Sequence, residues 1–112
     1  MNVKAQTGLW IAQRASAAVL ALCVAVHLAT MIYAIRGGLS AAEILSRTRG
    51  SAGWLAFYSV FVLAVTLHAP IGLRSVLNEW LGWRGTLCDI LLCALAMLLA
   101  GLGMRAVLGV FL

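Results

Sequence analysis

The chain has 112 residues, 64% of them hydrophobic and 10% charged, with a mean hydropathy of +1.07. A soluble domain carries about a quarter charged residues, so this composition excludes one and reads as a membrane protein. The net charge of +5 would suggest nucleic acid in a soluble protein. Here the basic residues are dispersed at the ends of apolar runs, where Lys and Arg reach lipid headgroups, and nucleic acid is not implied.

Residues 1–8, MNVKAQTG, are short and polar, and a first span is expected over 9–35. Between Arg14 and Arg36 lie 21 uncharged residues, enough at about 1.5 Å per residue to cross a hydrocarbon core of about 30 Å. The run is full length and carries a histidine, unlike the short apolar segment of a signal peptide with its small-residue cleavage site, so it is expected to be retained. RGGLS ends it. Residues 39–48 set Ser40, Glu43, Ser46 and Arg47 among small apolar residues, which suits a short interfacial helix, broken by Gly50 and Gly53. A second span is expected over 54–77, where 24 uncharged residues separate Arg49 from Arg74. Trp54 and Tyr58 at its start, and Trp80 and Trp83 beyond its end, stand where aromatic belts lie. The third span, over 86–111, is interrupted only by Asp89 near one end and Arg105 near the other. The expected fold is all-α, with three transmembrane helices in one domain, 1–112.

Three spans alone leave much surface uncovered. SAAVLA (16–21) and AGLG (100–103) would let neighbouring backbones approach closely, so the unit is expected to belong to a larger helix bundle. Charge does not orient it: Lys4, Arg14, Arg74 and Arg84 collect on one side, and Arg36, Arg47, Arg49 and Arg105 on the other. Cys23, Cys88 and Cys93 lack the spacing of a zinc site or a disulfide framework and are expected as buried apolar residues, and Met31, Met97 and Met104 as packing residues.

Both histidines fall inside spans, where an ionisable side chain is costly and marks a functional site by default. Either ring can instead be a neutral, hydrogen-bonded packing residue. His27 lies about 27 Å along span 1 from Leu9, and His68 about 21 Å along the oppositely directed span 2 from Trp54, so their heights differ by about 15–20 Å. They cannot share one iron, whose axial nitrogens lie about 2 Å away. With no carboxylate or second cysteine nearby, the cofactor that imidazoles hold in a helix bundle is haem. If both histidines ligate there are two haems at two depths, each drawing its second axial ligand from another chain; if only one does, there is one.

Pro70 removes one backbone donor from span 2 and pushes away the carbonyl of Thr66, one turn from His68. Gly72 leaves room for a flat ring or a neighbouring helix. Arg74 lies at the boundary, placed either to meet a haem propionate or to anchor at the headgroups. Gln13, Arg14 and Ser16 stand at the same level, where they can bind propionates, hold the carbonyl oxygens of a quinone, or serve as interfacial anchors.

QRASAAVLALCVAVHL (13–28) and HAPIGLRSVLNEW (68–80) resemble the first helix, and the second helix with its exit, of the cytochrome b membrane-anchor subunits of succinate dehydrogenase and fumarate reductase, the complex II family. The family pattern of Gln or His, Arg, any residue, then Ser or Thr is met by Gln13, Arg14 and Ser16. Its helix 2 pattern is met by His68, Gly72, Arg74 and Glu79. The resemblance covers about two-thirds of the chain, and span 3 matches only as apolar helix.

It implies that His68 is an axial ligand of haem b and that Arg14 and Ser16 lie near the ubiquinone or menaquinone site. His27, at its distance from Gln13, is similar to the helix 1 ligand of the two-haem branch. The resemblance further implies a multi-pass protein of the bacterial inner membrane with a cytoplasmic N-terminus. Its partners would be a flavoprotein subunit, an iron–sulfur subunit and a second membrane-anchor subunit, serving succinate oxidation in the tricarboxylic acid cycle or fumarate reduction. Ala17 stands where the family usually has glycine, Trp10 where the one-haem branch often has a quinone-binding serine, and Ser75 where a second histidine is common.

The chain has no dinucleotide fingerprint and no C-x-x-C motif, so FAD and iron–sulfur clusters are expected only in partner subunits. The expectation is a non-catalytic, haem b-binding anchor of an oxidoreductase complex. A haem-free anchor or assembly protein, and the cytochrome b of another membrane dehydrogenase or hydrogenase, stand as alternatives.

Overall fold

A computed structural model describes residues 2–112. It contains four helices: α1 (Val3–Arg36), α2 (Ala41–Thr48), α3 (Ala52–Trp80) and α4 (Thr86–Phe111). α1, α3 and α4 are each long and apolar enough to cross a membrane.

α1 begins six residues before the expected span. Asn2 caps it, its Oδ1 accepting from Ala5 N at 2.8 Å, and the polar first turns continue the helix beyond the hydrocarbon. It ends where Gly38 (φ +102°) and Leu39 (φ +52°) turn left-handed and Leu39 N bonds back to Ala34 O at 2.9 Å. Ser40 caps α2 by accepting from Glu43 N at 3.2 Å. α2 breaks at Gly50 (φ +72°) alone; Gly53, expected as a second breaker, lies in the first turn of α3, which Ser51 caps. α3 runs through Pro70 as one helix.

α3 is the central element, packed against α1 on one side and α4 on the other, both antiparallel to it. The sheltered positions of α1 follow a 3–4 repeat, Gln13, Ser16, Leu20, Cys23, His27, Thr30 and Ala34, so one narrow seam meets α3. Most of the rest of α1 is exposed, as are large apolar side chains such as Leu22, Ile32 and Met97. In water such a surface would drive aggregation; in a bilayer it is the lipid or partner face. Cys23 and Cys88 are buried as expected, whereas Cys93 lies on the exposed face of α4. Met97, expected to pack, is 78% exposed, and Met31 is exposed as well.

α2 lies across the end of the bundle. The Thr48 hydroxyl donates to Val110 O (2.9 Å) and Gly50 N to Phe111 O (2.8 Å), satisfying two terminal carbonyls of α4.

Candidate functional site

Two contacts set the register of α1 on α3. Gln13 packs against Gly72, and His27 packs edge-to-face against Tyr58 with ring centroids 6.0 Å apart. The contacts are fourteen residues apart on both helices, as an uninterrupted antiparallel pair requires. That register puts His68 level with Ser16 and Ala17, about ten residues along α1 from His27, and separates the two histidines by about 15 Å of depth.

The histidines sit in unlike surroundings. His27 lies against Tyr58 and Phe61 (5.6 Å), in an aromatic group that continues through Phe57 and Trp54. It borders two cavities, of about 270 and 600 Å³, the first roofed by Arg47 and Thr48 of α2. Arg47 is held there by Glu43 (3.5 Å) and by stacking over Tyr33 at 4.5 Å. His68 borders none of these spaces; it lies on the same face of α3 as Gly72, one turn away, where Ser16 and Ala17 are small.

Neither imidazole takes part in a hydrogen bond among the described residues, and Nδ1 of each is enclosed. Only two other enclosed side-chain atoms there lack a partner, Gln13 Oε1 and Thr66 Oγ1. An unpaired polar atom shut away from water costs a few kcal/mol, more where lipid surrounds it; Gln13, His27 and His68 put such unmet bonding capacity on the α1–α3 seam, whereas Thr66 borders a space lined by α4.

At the N-terminal end of the bundle a cleft of about 750 Å³ opens between α1, α3 and the start of α4. Trp10, Gln13, Arg74, Glu79, Arg84 and Asp89 line it. Arg74 Nε donates to Asp89 Oδ1 at 3.2 Å. Of the predicted residues, the cleft therefore gathers Gln13 and Arg74. Arg14 is exposed and reaches the rim only by stacking over Trp10, 5.1 Å from its ring centroid. Ser16 is buried, and its hydroxyl donates to Gln13 O within its own helix at 3.1 Å, so it presents no free donor to the cleft.

Asp89 was legible only as a charge interrupting span 3. An acid in the first turn of an otherwise apolar helix was the available signal. Among the described residues no group of three or more His, Cys, Asp or Glu is placed to hold a metal ion.

The chain matches, over residues 1–103, the family described as the succinate dehydrogenase/fumarate reductase transmembrane subunit. Comparison with curated proteins and with solved structures found no match.

Proposed function

Because the chain belongs to the succinate dehydrogenase/fumarate reductase transmembrane-subunit family, we propose that it is a haem b-binding anchor carrying electrons between partner iron–sulfur clusters and quinone. A flavoprotein subunit and an iron–sulfur subunit dock at the N-terminal face, on the cytoplasmic side of a bacterial inner membrane. A second anchor subunit covers the exposed helix faces and completes the haem sites.

One observation carries this reading: two imidazoles, about 15 Å apart in depth, lie on one interhelical seam with no hydrogen bond to either ring. A hydrogen-bonded packing histidine would have a partner, and neither ring has one among the described residues. A neutral imidazole suits haem iron as an axial ligand. His68 and His27 would each hold one group, and haem b supplies one-electron chemistry when bound. His68 lines none of the cavities described above, in keeping with a group lodged between this chain and the second anchor. Tyr58 and Phe61 fix the plane of His27 by edge-to-face packing. The cleft of Gln13 and Arg74 offers an amide and a guanidinium to quinone oxygens, with Arg14 and Trp10 at its rim and Ser16 stiffening the turn that carries Gln13.

The test is to purify the assembly through a tag on this chain, identify its subunits by mass spectrometry and record its reduced-minus-oxidised spectrum. Flavoprotein and iron–sulfur subunits with a b-type α band are expected. Other dehydrogenase or hydrogenase subunits would reassign the chain's partners, and absence of a haem band would reduce it to a structural anchor.

A further inference from the structure

We propose that Asp89 is a positioning residue: its carboxylate holds Arg74 by Nε, leaving the terminal amino groups of the guanidinium for a neutral, carbonyl-bearing ligand in the cleft. The inference rests on the quinone reading of that cleft.

Three features support it. The contact is single, from Arg74 Nε to Asp89 Oδ1 at 3.2 Å, and the two terminal amino groups make no other bond among the described residues. An arginine carries five N–H donors, so four remain for a ligand. The pair is also a poor stability device, because the side chains are 29% and 53% exposed and solvent screens them. What the contact does achieve is restraint. An arginine at a span end otherwise sweeps toward the headgroups, and fixing it beforehand removes an ordering cost from ligand binding.

Charge balance sets the ligand class. The cleft is lined by two cations, Arg74 and Arg84, and two carboxylates, Glu79 and Asp89. The formal charge of the lining is zero, with Arg14 outside it at the rim, so the lining itself offers no net positive charge to an anion such as a carboxylate and suits a neutral quinone. Asp89 belongs to the first turn of α4. Gln13 also lines the cleft, and its Nε2 is the facing donor for a carbonyl oxygen.

The test measures KM and kcat of the purified intact complex, with succinate as donor and a short-chain ubiquinone or menaquinone analogue, whichever the wild type reduces faster. Asp89→Asn is expected to raise quinone KM about three- to fivefold with kcat within about twofold. Asp89→Glu should restore most of the loss. Arg74→Gln should raise KM at least as much, and the double variant Arg74→Gln with Asp89→Asn no further, because the two act as one unit. Exchanging the pair, Arg74→Asp with Asp89→Arg, keeps an ion pair between α3 and α4 while setting a cation in the first turn of α4, and should melt within a few degrees of the wild type while KM stays raised. If Arg74→Gln raises KM and Asp89→Asn does not, the positioning role is wrong and the quinone reading stands. If Arg74→Gln leaves KM unchanged, or the wild type reduces neither analogue, both fall. Should Asp89→Asn fail to assemble, the glutamate and exchanged variants decide.

Discussion

The amide of Gln13 on α1 rests against the bare backbone of Gly72 on α3, where a Cβ at Gly72 would lie 3.0 Å from Gln13 Nε2. Glycine at 72 therefore sets how far Gln13 reaches into the cleft. Gly72→Ala gains about 1 kcal/mol of helix propensity and loses a comparable amount to the tight contact, which a flexible amide relieves by turning aside. We expect the melting temperature of the complex to stay within a few degrees while quinone KM rises. Unchanged KM would separate Gln13 from ligand binding.

The junction of α3 and α4 is less forgiving. A Cβ at Gly103 would fall 2.6 and 2.9 Å from the two methyls of Val62, a side chain with no flexible end to move away. Gly103→Ala should destabilise the bundle by about 1–3 kcal/mol. Adding Val62→Ala should return most of it, measured by thermal aggregation of the solubilised complex. Additive losses in the double variant would show that the two residues do not meet.

Thr48 ties α2 to the end of α4 through its hydroxyl and Val110 O. Thr48→Val keeps the shape and removes the donor, leaving a carbonyl short of a partner at a cost of about 1 kcal/mol. Hydrogen exchange across residues 41–50 should quicken by about fivefold or more, while α3 is unaffected. Equal protection in the variant would mean that Gly50 N, bonded to Phe111 O, holds the junction alone.

The three spans were legible because length and hydropathy alone decide whether a helix can cross a bilayer. Their ends were less so. Nothing apolar marks Val3–Gly8, yet Asn2 caps the helix there, and Gly53 looks like Gly50 in the sequence although only Gly50 needs a left-handed backbone. The histidines stood out because a span contains few groups that can ionise, and their separation in depth followed from counting residues along two opposed helices. Which polar residues share the cleft did not follow. Gln13, Arg14 and Ser16 are near neighbours in sequence, but 3.6 residues per turn sends Gln13 to the seam edge, Arg14 outward onto Trp10 and the Ser16 hydroxyl back to its own helix. Asp89 joins Arg74 across fifteen residues through a tight loop, with Gly82 and Gly85 both at positive φ, a juxtaposition that no local pattern carries.

The central claim is that each histidine serves its own haem, and the most direct measurement is a pyridine haemochrome assay on the intact, gently solubilised complex, with haem counted per copy of this chain. Two haems are predicted for the wild type, falling to one in His27→Ala and to one in His68→Ala, with assembly confirmed by the co-purifying subunits. One haem sensitive only to His68→Ala would contradict the role given to His27. No haem in the wild type, or a content unchanged by both substitutions, would contradict the account as a whole.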